Sequence, residues 1–345
     1  MGRRPRLPLI AILVLALGIG MSTALFSVMY GVLLKPLPLQ QQDRLLVAWK
    51  GDAKDVTRVG ELSYLEFRDW QQRAKSFEMM AAMPTTVYGY GLVLTGFGDP
   101  IQIERTPVTA DFFSILGVSP ELGRTFAPAD DHPGAAPTVV LHHSLWANRF
   151  HSDPAIIGKT INLSGKGYTV IGVMPASFDF PAGAELWTPL DLNASTLQNY
   201  EAVFLQVIGK RKAGVTSQQM RDDLAGAIEH IAAEHPRSGQ SAEKQYPVIT
   251  PLADYIFGNA KPAIFLLWAA SLLLLAMACI NIISLLLAQA ITREREVALR
   301  LDLGATRAHL LRQFVIEGLI LSAAGALTGC LAAEYLLEGI LVFAP

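Results

Sequence analysis

The sequence predicts a membrane protein in which α-helical transmembrane spans frame an α+β extracytoplasmic domain inserted between spans one and two. Hydrophobic residues make up 51% of the 345 residues and charged residues only 17%, whereas charged residues are about a quarter of a typical soluble domain. Two long runs carry no charge, and the segment between them has the composition of a folded domain. A net charge of −2 lacks the basic excess expected of a nucleic-acid-binding protein.

Three apolar runs are candidates for transmembrane helices. Residues 7–34 and 262–292 contain no Asp, Glu, Lys or Arg, and each is long enough to cross about 30 Å of hydrocarbon. A third run, 314–336, contains Glu317 and Glu334 near its ends, where a charge costs less than at the bilayer centre. A buried core helix is the alternative for this third run. The first run exceeds a signal-peptide core and has no A-x-A cleavage site, which indicates an uncleaved anchor.

Arginines beside these runs predict their orientation. They precede the first run in residues 1–6 and lie between the second and third runs in residues 293–313, and basic residues favour the cytoplasmic side. We therefore expect 1–6 to be a cytoplasmic N-terminus and 293–313 to be cytoplasmic. The domain of residues 35–261 is then extracytoplasmic, and 337–345 is an extracytoplasmic tail or a truncation point.

The inserted segment reads as an α+β domain with two subdomains. Residues Thr138–Leu141, Tyr168–Val173 and Phe204–Ile208 have the β-branched, apolar character of strands. Apolar positions at helical spacing predict helices over Tyr64–Met80 and Ser217–Ala233. In the second helix, one face is formed by Met220, Leu224, Ala227, Ile228 and Ile231. The strand before it and this helix form a plausible unit of a split βαβ arrangement.

No motif for catalysis or cofactor binding stands out, and no cofactor is expected. Gly158-Lys159-Thr160 resembles the end of a phosphate-binding loop, but Asp153 replaces its first glycine, which favours a turn before a strand at Thr160–Leu163. Four histidines lie close together in sequence without metal-ligand spacing, namely His132, His142, His143 and His151. Asp130-Asp131 reads as a polar loop rather than a pair of catalytic acids.

Two features outside the domain suggest contacts with other helices or proteins. Residues 293–313 carry alternating charges, with Glu296 and Arg300 at a favourable helical spacing. This segment is either a solvated juxtamembrane helix or a docking elbow for a cytoplasmic partner. Candidate close helix contacts are Gly20-x-x-x-Ala24 and Gly325-x-x-x-Gly329, with Asn281 and Ser284 as polar residues expected to face protein.

Several motifs occur in an order typical of one family. The motifs near the first span are Leu15-Ala-Leu-Gly-Ile-Gly20, Ala24-Leu-Phe-Ser-Val28 and Leu34-Lys-Pro-Leu-Pro38. Those in the inserted domain are Gly117-Val-Ser-Pro-Glu-Leu-Gly-Arg-Thr-Phe126, Gly172-Val-Met-Pro175, Phe178-Asp-Phe-Pro181 and Leu186-Trp-Thr-Pro-Leu190. Those after the domain are Asn281-Ile-Ile-Ser-Leu-Leu-Leu-Ala288, Arg295-Glu-Val-Ala-Leu-Arg300, Leu303-Gly-Ala-Thr306 and Gln313-Phe-Val-Ile-Glu317. Through these motifs the chain resembles the MacB-like and FtsX-like permease subunits of ABC systems, especially the subgroup with duplicated modules.

The resemblance implies a permease that is not itself an enzyme. A separate cytoplasmic ABC ATPase would bind the elbow and, by hydrolysing ATP, move the spans and the extracytoplasmic domain. The elbow residues implied to contact it are Glu294, Glu296, Arg300, Leu301, Leu303, Gly304, Thr306 and Arg307. Further implied partners are a second permease module or copy, an extracytoplasmic adaptor and membrane lipid. The implied location is the bacterial cytoplasmic (inner) membrane.

The sequence departs from the family pattern in two ways. Asp302 stands where the family usually has a small apolar residue, and the printed chain carries three candidate spans where the family module has four. We therefore expect only the N-terminal module of a duplicated permease, as a fragment of a longer chain, the product of a truncated gene, or a half that must assemble with other copies. The alternative function is a membrane-anchored scaffold or sensor without a motor, and an extracytoplasmic enzyme would require a catalytic site that the sequence does not show.

Overall fold

The structure is a computed structural model, and it describes most of the chain. The described residues are 6–30, 39–52, 59–86, 91–190, 194–235, 245–258, 260–292, 312, 316, 319–320 and 322–335. The chain divides into two compact units: an α+β domain (Pro36–Ile256) and a helical unit formed by Met1–Lys35 and Phe257–Pro345. Each unit is described by itself below.

The helices and strands follow one another in mixed order along the chain. The helices are α1 Arg6–Met29, α2 Tyr64–Arg73, α3 Phe112–Leu116, α4 His143–Phe150, α5 Ala194–Leu197, α6 Ser217–Glu234, α7 Leu252–Phe257 and α8 Lys261–Thr292. The strands are β1 Leu45–Asp52, β2 Val59–Gly60, β3 Leu62–Ser63, β4 Phe77–Pro84, β5 Leu92–Thr95, β6 Ile101–Ile103, β7 Arg105–Val108, β8 Leu122–Gly123, β9 Thr138–Leu141, β10 Thr160–Leu163, β11 Lys166–Val173, β12 Leu186–Pro189, β13 Val203–Arg211 and β14 Gln245–Pro251. A further helical segment over 322–335 is called α9.

The first sheet of the α+β domain is built from two interleaved split βαβ units. Its main strands lie in the order β14-β1-β13-β4, and every neighbouring pair is antiparallel. Consequently β13 and β14 run in the same direction on either side of β1, with α6 in their connection. In the same way β1 and β4 flank β13, with α2 in the connection. This arrangement confirms the predicted split βαβ unit and adds a second one.

The second sheet is an insertion between β4 and β13 of the first. Its strands lie in the order β6-β5-β10-β11-β9-β12-β7, and β8 pairs with β11. Strand β9 runs parallel to β11, β12 runs antiparallel to β9, and β12 runs parallel to β7. As a result, β9 and β11 begin at the same edge of the sheet at which β12 ends.

Strand β9, in the interior of the second sheet, is buried on both faces. In β9, Val139 and Leu141 belong to a smaller core with α4, whereas Val140 belongs to the larger core that also contains strands of the first sheet. Side chains along a strand point alternately to the two faces, so each face of β9 contacts a different core. The near-continuous apolar sequence of this strand follows from burial on both sides, and its predicted bounds are confirmed.

The predicted helix over Ser217–Ala233 is confirmed as α6. The five apolar residues expected on one face are the ones that are buried. Thr216 caps the helix: its hydroxyl accepts a hydrogen bond from Gln219 N, and the Gln219 side chain accepts one from Thr216 N. This reciprocal cap satisfies backbone donors that an uncapped first turn leaves free.

The predicted helix over Tyr64–Met80 is wrong in its second half. Helix α2 ends at Arg73, and after a short turn the chain forms β4, Phe77–Pro84. The Met and Ala residues of this stretch favour a helix when taken alone. Strand β4 nevertheless pairs with β13 along most of its length and is buried from Met80 onward, so tertiary pairing overrides local propensity.

The helical unit contains α1, α8 and α9. Helix α1 has 24 residues and α8 has 32. Counted only over the residues that the structure describes, no helix is long and apolar enough to cross a membrane.

Candidate functional site

The residues expected to contact an ATPase cannot be placed. Glu294, Glu296, Arg300, Leu301, Leu303, Gly304, Thr306 and Arg307 all lie outside the described residues. Asn281 lies in α8, but its side chain is also outside them. The Ser284 hydroxyl donates to the Ile280 carbonyl one turn earlier, at 2.9 Å. This bond satisfies the hydroxyl within its own helix.

The structure brings the two glycine motifs together. A Cβ atom built on Gly20 would lie 2.9 Å from the Gly329 carbonyl oxygen, and one built on Gly329 would lie 2.9 Å from the Ala16 carbonyl oxygen. A Cβ on Gly325 would lie 2.7 Å from the Leu15 Cβ. These distances are too short for a side chain, so helices α1 and α9 approach each other closely because glycine has none. Ala24, one turn beyond Gly20, is 2% exposed.

Sequence reasoning missed the partners that receive these glycines. Leu15 and Ile19 of α1 contact α9 at Gly325 and Gly329 respectively. Leu15 and Ile19 are one helical turn apart and share a face, beside the row formed by Ala16 and Gly20. That spacing was the available signal, but every residue in this part of the sequence is apolar, so the pattern could not single out one face.

The outward faces of the helical unit are apolar. On α1, Leu13 and Leu17 are 56% and 62% exposed, and on α8 the exposed fractions of Leu266 and Leu273 are 74% and 70%. Soluble proteins seldom expose contiguous apolar surface on this scale. These exposed side chains form an apolar surface on the described helices.

Three of the four histidines have local structural roles. His142 caps α4, where its Nδ1 accepts from Ser144 N at 3.1 Å, and burial lowers the pKa of its imidazole. His143 Nδ1 lies 2.8 Å from the Glu121 carboxylate, and His151 ends α4 in a left-handed conformation. Across the described residues, no three His, Cys, Asp or Glu side chains are grouped so that they could hold a metal ion.

The segment that resembles a phosphate-binding loop is a capped turn. The Asp153 carboxylate accepts from Ala155 N at 2.9 Å and lies 3.2 Å from Lys159 Nζ. The amide of Ala155, followed by Lys159, lowers the pKa of Asp153. The lysine that would contact phosphate in a nucleotide-binding loop is therefore beside a carboxylate, and Thr160 begins β10 as predicted.

The two adjacent aspartates stabilise different parts of their loop. Asp130 accepts two hydrogen bonds from the Arg124 guanidinium, at 2.6 and 3.0 Å, and this arginine lowers the pKa of the Asp130 carboxyl. Asp131 accepts from Ala110 N at 2.8 Å, and burial raises the pKa of its carboxyl. Both carboxylates hold backbone or side chains in place, as expected for a polar loop.

Comparison with protein families gives two matches in succession. The model of the MacB-like periplasmic core domain matches residues 9–227, which is more than half of the chain. The model of the FtsX-like permease C-terminal region matches residues 268–343. The first match covers α1 and much of the α+β domain, and the second covers most of α8 and all of α9.

Curated proteins with similar sequences have names that describe transport proteins. The macrolide export ATP-binding/permease protein MacB of Neisseria gonorrhoeae is 25% identical over 282 residues, covering 79% of this chain and 41% of that protein. The uncharacterized ABC transporter permease YknZ of Bacillus subtilis is 25% identical over 228 residues, covering 63% of this chain and 53% of that protein. The chain thus spans between about two fifths and about half of the length of these relatives.

Solved structures with a similar fold include two domains. The periplasmic region of MacB from Actinobacillus actinomycetemcomitans is 14% identical with a TM-score of 0.45, covering 63% of this chain and 92% of that structure. A domain of a putative permease from Porphyromonas gingivalis is 17% identical with a TM-score of 0.47, covering 62% of this chain and 93% of that structure.

Proposed function

Because the chain belongs to the MacB-like periplasmic core domain family, we propose that it is a permease subunit of an ABC-type export or mechanotransmission system. The observation that carries this proposal is the order of the two family matches, a periplasmic core domain followed by an FtsX-like permease region. In this role the subunit couples ATP hydrolysis in a separate cytoplasmic ATPase to movements of its extracytoplasmic domain.

The helical unit is the membrane-embedded part of this proposal. Large apolar side chains such as Leu266 and Leu273 are mostly exposed, and lipid would cover them. The close approach of α1 and α9 at Gly20 and Gly329 is the kind of contact that holds helices together where the hydrophobic effect between them is weak. The spans proposed are 7–34, 262–292 and 314–336, in the bacterial cytoplasmic membrane.

The ATPase is proposed to be a separate subunit. The segment of this chain that most resembles a phosphate-binding loop is a turn in which Lys159 contacts Asp153. The chain is similar to MacB of Neisseria gonorrhoeae, whose name describes a protein that has both an ATP-binding and a permease function. The elbow of residues 293–313, with Glu296 and Arg300, is the proposed docking site of the ATPase on this chain.

The proposal is tested by purifying the full chain from its native membrane with and without a charge reversal in the elbow. The test variant carries Glu296→Lys with Arg300→Glu, which inverts the proposed docking charges while keeping their number. The control variant carries Arg73→Glu with Glu234→Lys, which inverts an exposed ion pair of the α+β domain (N–O distance 3.8 Å). We expect an ATPase subunit to copurify with the wild type and the control and to be lost from the elbow variant.

Two outcomes would count against the permease proposal. If the ATPase is recovered equally with the elbow variant, the elbow is not its docking site. If no ATPase is recovered with any variant, while the α+β domain still binds an envelope protein, the chain is instead a membrane-anchored scaffold or sensor.

A further inference from the structure

Helix α4 begins at a histidine cap. Its N-cap residue is His142, whose Nδ1 accepts a hydrogen bond from Ser144 N at 3.1 Å. Helices more often begin at Ser, Thr, Asp or Asn. None of those side chains gains a proton near neutral pH, whereas an imidazole does. The cap of α4 therefore depends on the protonation state of one side chain.

The cap bond requires a neutral imidazole. A ring nitrogen accepts a hydrogen bond only through a free lone pair, so Nδ1 carries no proton while it accepts from Ser144 N. The single proton of the neutral ring is then on Nε2, which is buried. A proton on Nδ1 would make this atom a donor that faces a second N–H donor. The Ser144 hydroxyl, 2.7 Å from Nδ1, can accept from the protonated ring, but the Ser144 amide then loses its partner.

The position of His142 also disfavours a positive charge. The amides at the N-terminus of a helix carry a partial positive charge, so a cation there is unfavourable. Burial, the largest effect, lowers the pKa of the His142 imidazole below its ordinary value of 6.5, and His143 lowers it further. Asp179, the Phe178 backbone and Glu185 act in the opposite direction. The folded domain thus favours neutral His142 in spite of two nearby carboxylates.

The next residue responds to charge in the opposite sense. His143 Nδ1 lies 2.8 Å from the Glu121 carboxylate, and a charge on His143 would tighten this contact. The two side chains are 31% and 39% exposed, and ion pairs exposed to solvent contribute little to stability. The effect of acid on the start of α4 therefore follows His142.

The body of α4 is held by other contacts. Leu145, Trp146 and Phe150 are buried in the smaller core, and Trp146 Nε1 donates to the Asp153 carbonyl at 3.0 Å. None of these contacts involves the His142 imidazole. Loss of the cap would therefore loosen the first turn while the rest of the helix stays packed on the second sheet.

We propose that His142 is a pH-sensitive cap, which holds the first turn of α4 closed in its neutral form and releases that turn in its protonated form. The switch does not depend on the proposed ATPase coupling, because all of its residues lie in the α+β domain. In the proposed extracytoplasmic location, the domain meets the pH of the cell's surroundings, so external acid loosens α4.

Hydrogen exchange of the backbone amides in residues 142–150 tests the switch on the full chain in phosphatidylcholine nanodiscs. Exchange is compared at about pH 7 and about pH 5.5, on either side of the ordinary histidine pKa, after correction for the intrinsic effect of pH on amide exchange. The opened turn takes up a proton at the ordinary pKa and the closed turn only at a lower one. We therefore expect protection of 142–150 to fall about three- to eightfold in acid. Strand β13, which contains no histidine, is the internal reference and should not lose protection in parallel.

His142→Asn replaces the imidazole with a side-chain carbonyl that accepts from Ser144 N and does not titrate. This variant should keep the protection of 142–150 at neutral pH and lose the fall in acid, and His142→Ser should behave in the same way. His132→Asn is the matched control, because His132 is an exposed loop histidine, and it should keep the fall. His143→Gln should also keep the fall or enlarge it, since it removes the opposing contact with Glu121.

Four results would overturn the proposal. The first is equal protection of 142–150 at both pH values in the wild type. The second is a fall that persists in His142→Asn and His142→Ser, because another group would then be titrating. The third is a fall that disappears in His143→Gln, because His143 would then be the sensor. The fourth is an equal loss of protection in β13, because acid would then destabilise the whole domain rather than the cap.

Discussion

At the scale of residues, the most consequential polar contact in the α+β domain is a buried ion pair. Lys50 Nζ lies 2.7 and 2.9 Å from the two carboxylate oxygens of Glu66, and the residues are 2% and 4% exposed. Glu66 also accepts from Ser63 N at 2.9 Å and thereby caps α2. The pair joins β1 to the first turn of α2, so breaking it leaves a charge buried at the start of a helix.

We expect Lys50→Met to lower the free energy of unfolding by about 3–5 kcal/mol, because Glu66 would remain buried without its cation. Adding Glu66→Leu should recover part of this loss, leaving about 1–2 kcal/mol for the missing cap. Urea unfolding of the full chain in nanodiscs, followed by tryptophan fluorescence, measures both. Arg73→Met, in an exposed pair, is the control and should cost less than about 1 kcal/mol. An equal cost for Lys50→Met and Arg73→Met would contradict the buried pair.

The Arg124–Asp130 contact predicts a specific dependence of stability on pH. Arg124 lowers the pKa of Asp130 below its ordinary value of 3.8, so this contact stabilises the fold above that pH, and the stabilisation is lost as pH falls through the depressed pKa. Arg124→Gln should therefore cost up to about 1 kcal/mol at neutral pH, because the arginine is half exposed, and progressively less in acid. Urea unfolding at a series of pH values measures this difference. In an Asp130→Asn background the same substitution should show no such acid dependence; if it does, another group titrates.

At the scale of elements, the sequence predicts those whose apolar residues form a pattern typical of one element type, a short continuous run in β9 and a helical spacing in α6. The strand Thr138–Leu141 and the helix α6 lie where the pattern predicted them. The first half of β4, up to Met80, was misread as the end of a helix because Met79 and Met80 suit a helix as well as a strand, and only pairing with β13 decides between them. That pairing spans more than a hundred residues, so no local pattern reveals it.

The contact between α1 and α9 predicts that a larger residue in place of a contacting glycine separates the two helices. Gly329→Leu should move the two helices apart by about 2 Å, since its side chain would meet the Ala16 carbonyl of α1. Spin labels at Leu13→Cys and Leu331→Cys, in a background with Cys279→Ser and Cys330→Ser, report this distance by double electron-electron resonance. Both labelled positions are more than half exposed.

Gly226 provides the matched control for this experiment. It lies in α6, and a Cβ atom there would have no neighbour within 4 Å. Gly226→Ala should therefore stabilise the α+β domain by about 0.5–1 kcal/mol and leave the spin-label distance unchanged. An unchanged label distance in Gly329→Leu would show that α1 and α9 do not pack through these glycines.

At the scale of the whole molecule, the order of its parts could be predicted from sequence, whereas its sites could be predicted only in part. Charge-free runs flanking a segment of ordinary composition indicated helices around an α+β domain. A cavity at the edge of the second sheet could not be foreseen, because its lining residues Tyr64, Thr138, Lys166 and Thr188 come from different elements that only the folded domain brings together. The glycine motifs could be identified from the sequence because the two small residues of each motif are only four positions apart.

We propose that ATP hydrolysis in a cytoplasmic partner changes the conformation of the α+β domain. Hydrogen exchange of the domain's backbone amides tests it most directly, on the chain copurified with its ATPase in nanodiscs. Exchange is compared between the nucleotide-free complex and the complex trapped with ATP and vanadate. We expect protection within 36–256 to differ between the two states, and the difference to disappear with Glu296→Lys and Arg300→Glu. Identical exchange in both states, with the ATPase still bound, would contradict the coupling.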